Sequence, residues 1–367
     1  MLWAFLQHVD RDRVEPVIVF LEAGPFEREV AALGMATLVR DAGRLRDTGR
    51  FAATVARLAG DMRRERPSIV LGWMAKTHLY AAPAAVLAGI PDRLVWWQHG
   101  MPTGYWLERL ATVLPARAVG ASSYAAARGQ ETLRPRRRTF VVHPGIDIPG
   151  TPPEANVADV RQALALPAGR AVLGCVGRLE PGRRQHDVLR AVATLRRRGR
   201  AVHAVIVGGD VLGLSGDYEP YLRRLARELD LDSAVTFTGH VPDASPYLQA
   251  LDVLVQPGPE SFGIALLEAM AIGVPVIAAD TGGAGEIVEA GCSGLLVPAG
   301  DQPRLVEAIE RLLGDRALRD RLAAAGRERV RGTFGAERMA IELQRQLEAI
   351  AAESAPRRRA QRSMARR

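Results

Sequence analysis

The segment Leu251–Ile277, LDVLVQPGPESFGIALLEAMAIGVPVI, decides the fold. LDVLVQP is an apolar run of strand length, stopped by Pro257, Gly258 and Pro259. Ile264, Leu267, Glu268 and Ala271 then recur at helical spacing in a stretch rich in Ala, Leu, Glu and Met, so a helix is expected. Pro275 ends it, and VPVIAAD reads as the next buried strand. The order is strand, loop, helix, strand, with Glu260 in the loop and Glu268 in the second helical turn.

A helix entered through Phe262, Gly263 and Ile264 presents backbone N–H groups that have no partner within the helix. Gly263 has no side chain to hold an anion away from them, so a phosphate suits that position. Glu268, one turn further on, can then reach a ribose diol, and Glu260 a hydroxyl on the other side of the phosphates. Two carboxylates straddling an anion site suit a nucleotide-sugar. Taken bare, the two acids say little: Glu260 reads equally as an exposed acid near a helix start, where negative charge is favourable, and Glu268 as a solvated helix residue.

The wider segment PESFGIALLEAMAIGVPVIAADTGGAGEIVEAGCSGLLVPAGD resembles the donor-site segment of the retaining glycosyltransferases of family 4, which have the GT-B fold. Glu260 and Glu268 match both acids of that family's E-x7-E motif, and GGAGEIV and GLLVPAGD match its downstream elements. The resemblance implies an α/β protein of two Rossmann-like domains whose parallel sheets face a cleft. It is specific in the second half of the chain and weak in the first.

Composition agrees with a two-domain enzyme. A chain of 367 residues is long enough for two domains, each with its own core. Cys175 and Cys292 are too few for a disulfide framework and too scattered for a metal site, so a reducing, cytoplasmic setting is expected. No apolar run approaches the roughly 20 residues that span a bilayer. Net charge is +8, but the last thirteen residues, APRRRAQRSMARR, carry six arginines and no acid. A second basic run surrounds Pro135, at Arg134 and Arg136 to Arg138. These are read as solvated surface and a disordered tail; acidic phospholipid at the inner face of the membrane is the partner their charge would otherwise suit. Nothing resembles a nucleic-acid-binding motif.

From its start the chain alternates helices and strands: a helix over residues 1–9, a strand at 16–21, a helix at 26–33, a strand at 36–40, a helix at 47–64 and a strand from 68. Such alternation implies a parallel sheet covered on both faces. The resembling enzymes begin instead with a strand and a Gly-rich loop, and that strand lies mid-sheet. This chain opens inside the following helix, so a misplaced start is expected, because losing a central strand leaves its neighbours' backbone groups unpaired.

LVWWQHGMP, residues 94–102, reads as a buried strand with His99 just past its carboxyl end, where open parallel sheets face their ligands. A lone histidine there is most often a structural hydrogen-bonder. His99-Gly100 matches the histidine that the family places in its active site, which implies that His99 lines the reacting face. Trp96 and Trp97 read as core, and no role is assigned to Lys76 or His78.

The Pro/Gly-rich stretch from Pro144 to Pro153 marks a linker. A first domain at 1–148, a donor domain at 149–335, a helix at 336–352 returning to the first domain and a basic tail at 353–367 are expected. The second half opens on the strand AVLGCVG, after which Arg178 and Arg183 flank a Pro-Gly turn. GRLEP resembles the family's G-R-L segment, implying that both arginines balance the diphosphate; Arg183 stands where the family usually has lysine followed by glycine. Arginine keeps the charge and changes the shape. Further strands are expected at 201–210 and 234–241, and the resemblance implies that main chain near Val241 reads the base.

The resemblance thus implies metal-independent, retaining transfer of a sugar from a nucleoside-diphosphate sugar to an unidentified glycan, lipid or small molecule, without a cofactor. Glu268 would hold the ribose, Glu260 orient the sugar, and the N–H groups of Phe262 to Ile264 cradle phosphate. Asp10/Asp12 and Asp230/Asp232 have D-x-D spacing but follow no strand, and are read as chance. Two rivals share these features: a nucleotide-sugar epimerase of the same fold, and an inactive nucleotide-sugar-binding protein lacking the first strand.

Overall fold

The computed structural model describes residues 1–102, 104–148, 157–210 and 216–354. Two compact units are present: residues 1–145 with 336–354 form unit 1, and residues 146–335 form unit 2. The division falls at Gly145 rather than after residue 148; linker positions 149–153 and tail positions 355–367 lie outside the described residues.

Among the described residues, unit 1 holds six strands: β1 (Val17–Phe20), β2 (Ala36–Val39), β3 (Val70–Gly72), β4 (Leu94–Gln98), β5 (Ala118–Ala121) and β6 (Thr139–Val141). They form two sheets, β1-β2 and β3-β4-β5-β6, and every pairing is parallel. β4 is fully buried, with Trp96 and Trp97 both shielded from solvent, as an unbroken apolar run demands of a strand covered on both faces. The last helix, Ala336–Ser354, packs Met339, Ala340 and Leu343 with Ala4 and Phe5 of the Leu2–His8 helix. That helix outruns the expected 352 because its end is tied down. Glu353 pairs with Arg138 at 2.6 Å and Arg117 at 3.3 Å, and Ser354 Oγ donates to the Asp92 carbonyl. Part of the basic run is therefore structural: besides Arg138, Arg137 donates to the carbonyls of Thr112, Val113 and Leu114 at the end of the Trp106–Val113 helix.

Among its described residues, unit 2 holds one six-stranded sheet: β7 (Ala171–Val176), β8 (Val202–Val207), β9 (Val235–Gly239), β10 (Val253–Gln256), β11 (Val276–Ala279) and β12 (Leu295–Val297). Its order is β12-β11-β10-β7-β8-β9, all parallel. Alternate residues serve opposite faces. Leu173, Cys175, Ala204 and Ile206 pack with the helices Gln185–Arg197 and Gln302–Gly314, while Val172, Val205, Leu254 and Val276 pack with Ile264–Ala271. Both faces are dry, which is why these strands read as continuous apolar runs. The polar helical region after residue 302 breaks at Asp315 as well as near Gly335: the Asp315 carboxylate accepts from Leu318 N and starts a fresh helix, Arg316–Thr333.

Candidate donor-binding site

The chain of unit 2 winds outward from β7 in both directions, so its topological switch lies between β7 and β10. Ligands of open α/β sheets bind just past the carboxyl ends of strands at that point. Here those ends carry Gly177 to Arg183 and Pro257 to Gly263. Main-chain pairing between β7 and β10 runs from the Asp252 N–H, which donates to the Val172 carbonyl, to the Val253–Leu173 and Leu254–Gly174 register pairs. Beyond it the buried Gln256 side chain spans the divergence: Nε2 donates to the Val176 carbonyl at 2.6 Å, and Oε1 accepts from Cys175 Sγ at 3.5 Å. The glutamine is the polar exception at the end of LDVLVQP, and that was the signal for it in the sequence.

The two loops touch. A Cβ on Gly258 would lie 2.5 Å from the Gly182 carbonyl oxygen and 2.6 Å from that of Arg183, so only glycine lets the backbones approach. The approach brings Arg183, at the end of the Pro181–Arg183 turn, into an ion pair with Glu260. Glu260 is only 7% exposed, which removes the reading of it as a solvated loop acid. Burial pushes its carboxyl above the usual range, against the pull of the Arg183 and Arg178 charges. Its backbone is fixed as well: the Glu260 carbonyl accepts from Gly283 N at 2.8 Å, and Glu260 forms a parallel bridge with Gly282. Gly282 has φ +64°, and a Cβ there would run into the Glu260 carbonyl. Sequence reasoning met these glycines only as part of a matching segment and did not see that they position the acid.

Arg178 stands 2.7 Å from Glu180 and is half-exposed, with its carbonyl held by Gln185 Nε2 at 2.8 Å. Glu180 is a further charged residue of the site that the sequence did not single out. The Ile264–Ala271 helix begins behind Gly263, whose φ of +113° excludes an ordinary side chain, and no side chain caps it. The helix starts at the position expected from the sequence. The Phe262 side chain is core, set edge-on to Phe334 at 5.8 Å, so Phe262 can offer a ligand only its backbone. Ile264 is exposed. Glu268 lies one turn along, partly buried, and burial with the nearby Asp243 charge raises its carboxyl. Val241 packs against the same apolar cluster as Phe262, Leu266 and Leu267.

In unit 1, His99 follows β4 directly and meets Trp73 edge-on at 5.1 Å, while Trp73 stacks on Trp97 at 5.4 Å. Nε2 of His99 is buried with no hydrogen-bond partner, and burial lowers its pKa to about 4. A ring so lowered is neutral at pH 7. Because its folded pKa is depressed, the stability it confers is present above about 6.5, the unfolded value, and is lost as pH falls toward 4. Thermal midpoints recorded from pH 7 to 4 are expected to fall more gently in His99→Gln than in the parent; equal slopes would contradict a buried neutral ring. His78 is fully buried and stacked on Trp96 at 5.2 Å, a core residue.

Of the expected site residues, Arg178, Arg183, Val241, Glu260, Phe262, Gly263, Ile264 and Glu268 belong to unit 2, and His99 to unit 1. Among the described residues no cluster of three or more His, Cys, Asp or Glu could hold a metal ion. Asp10 Oδ1 accepts from Asp12 N at 3.1 Å, a local turn.

Comparison with known proteins bears on this site. Residues 156–329 match the family described as glycosyl transferases group 1. A GDP-mannose-dependent alpha-(1-6)-phosphatidylinositol monomannoside mannosyltransferase of Mycobacterium tuberculosis is 34% identical over 281 residues, covering 71% of each chain. A D-inositol 3-phosphate glycosyltransferase of Nocardia farcinica is 39% identical over 197 residues, 52% of this chain and 42% of that one. The crystal structure of Anabaena Alr3699/HepE in complex with UDP and glucose superposes with a TM-score of 0.81 at 25% identity, covering 94% of each chain.

Proposed function

Since the chain belongs to the group 1 glycosyl transferases and has their GT-B fold, we propose that it moves a hexose from a nucleoside-diphosphate sugar to an acceptor hydroxyl, with retention and without a metal. The observation that carries this reading is the buried Glu260–Arg183 pair at the switch point of unit 2, beside an uncapped helix start. The backbone N–H groups at Gly263 and Ile264 take the phosphates, and Arg178 and Arg183 balance the charge that grows on the departing diphosphate. Glu268 accepts from the ribose hydroxyls. Glu260 orients the sugar, and the neutral His99 lines its reacting face. No covalent nucleophile is assigned; the acceptor attacks the face from which the diphosphate leaves. Base selection falls to main chain near Val241.

GDP-mannose, named for the mycobacterial relative, is the donor to test first, with UDP-glucose second. An inositol-bearing lipid is the first acceptor by the same analogy. Among the described residues no helix is long and apolar enough to cross a membrane. The Trp106–Val113 helix exposes Trp106, Leu110 and Val113 on one face and also exposes Arg109, and Arg137, next in sequence to the exposed Arg136, donates to the carbonyls at its end. An acidic bilayer surface suits that combination.

Calorimetric titration with both donors, followed by transfer assays with the acceptor in acidic or neutral vesicles, tests the whole reading. One donor is expected to bind, Glu268→Ala to weaken it about tenfold to a hundredfold, and transfer to favour acidic vesicles. If neither donor binds, the site assignment fails; if binding is unaffected by Glu268→Ala, the role given to that residue fails.

A further inference from the structure

Four residues other than glycine hold a positive φ among the described residues: Arg66, Ala165, Arg184 and Asp230. Three of them follow the ends of helices, where a left-handed residue is the ordinary close. Arg184 stands at the other end. It precedes the Gln185–Arg197 helix with φ 58° and ψ 32°, at a position where extended backbone is usual. A Cβ crowds the carbonyl oxygen in that conformation, which persists only where the surroundings fix it. The fixing group is Asp187, one turn on. Its carboxylate is 4% exposed, and Oδ2 accepts from Arg184 Nε at 2.7 Å. His186 Nε2 and Arg190 stand further off, at 3.4 and 3.9 Å. Asp187 is itself held: Gln302 Nε2 donates to its carbonyl at 3.0 Å, and the neighbouring Val188 and Leu189 are fully buried. The Arg184 guanidinium lies across Gly300, where an added Cβ would stand 2.9 Å from Nη2.

The bend at Arg184 joins two parts of unit 2. After it comes a helix anchored in the core; before it comes the Pro181–Arg183 turn, whose last residue pairs with Glu260. The Arg184 N–H donates to the Pro181 carbonyl at 3.2 Å, and the Asp187 N–H to the Arg184 carbonyl at 2.8 Å, so the one bend sets how the turn sits on the helix. We propose that Asp187 is a positioning residue: by holding Arg184 left-handed, it keeps Arg183 against Glu260, where the departing diphosphate is received. The inference rests on the diphosphate role proposed above for Arg183. Removing one partner of a buried pair leaves the other charge uncompensated. Here it also frees a strained backbone to relax, and Arg183 moves with it.

Asp187→Asn keeps the shape and removes the charge. Amide protection at positions 184 and 187 is expected to fall about tenfold. Turnover of GDP-mannose or UDP-glucose, read as nucleoside diphosphate released well below the thermal midpoint, is expected to fall about tenfold to a hundredfold, with a smaller change in donor affinity. Adding Arg184→Gly is expected to restore protection and turnover, since glycine takes the left-handed conformation unaided. A residue that served stability alone would lower the midpoint and leave turnover of the folded protein as it was. If Asp187→Asn does not fold, Arg184→Ala against Arg184→Gly decides. Both drop the ion pair and only glycine keeps the bend, so alanine is expected to lose turnover and glycine to keep it. Unchanged protection and turnover in folded Asp187→Asn, no rescue by glycine, or equal turnover of the alanine and glycine variants overturns the inference. Full turnover in Arg183→Met refutes instead the diphosphate role on which the inference rests, while the exchange readout needs no donor.

Discussion

Glu260→Gln is expected to lower turnover about a hundredfold or more while leaving donor affinity within a few-fold of the parent. The substitution keeps the shape and removes the charge. Glu260 is buried beside Arg183, in a setting that screens charge far less than water does, so in the role proposed above its carboxylate would act strongly on charge developing at the sugar. The same change leaves the Arg183 guanidinium without its counter-charge. Since the Arg183 side chain is partly exposed, at 23%, the stability cost is about 1–3 kcal/mol rather than that of a fully buried ion. A double-mutant cycle with Arg183→Met separates the two effects: a coupling of about 0.5–3 kcal/mol in denaturant unfolding belongs to the pair. Turnover that survives in Glu260→Gln would remove Glu260 from the reaction altogether.

Gly258→Ala is expected to be nearly as damaging, although it adds a single methyl group and touches no ligand. That methyl meets backbone at Gly182 and Arg183 rather than the movable end of a side chain. One loop must move, and with it either Glu260 or Arg183. Misplacement by about 1 Å is enough to cost roughly a hundredfold in kcat/KM, and overpacking costs about 1–3 kcal/mol in stability. Gly314→Ala, where an added Cβ meets nothing within 4 Å, controls for glycine replacement as such. Parallel measurement of kcat/KM and urea midpoints decides the matter; a fully active Gly258→Ala would mean that the loops tolerate separation.

Much of unit 2 was legible because its strands are apolar on both faces and its loops are punctuated by Pro and Gly. LDVLVQP, AVLGCVG and VPVIAAD each sit where the sequence puts them. The helix start at Gly263 was legible for the same local reason, since its φ can be met only by a residue without a side chain. What escaped were contacts between distant segments. Gln256 reaching Val176, Gly282 against Glu260 and Gly258 against Arg183 are matters of which strands become neighbours. No window of sequence contains both partners. Arg137 and Arg138 misled for a related reason: a basic run reads as solvated until the carbonyls and the carboxylate that receive it are in view.

Unit 2 begins and ends at one place: Ile146 and Gly335 form a parallel bridge, and Ile146 N donates to the Phe334 carbonyl at 2.9 Å. A segment whose two ends meet can be cut out and exchanged for a homologous one without stretching the host on either side. Residues 146–335 therefore form a transplantable cassette whose two seams meet. Recombination at these seams would exchange unit 2 and leave unit 1 intact.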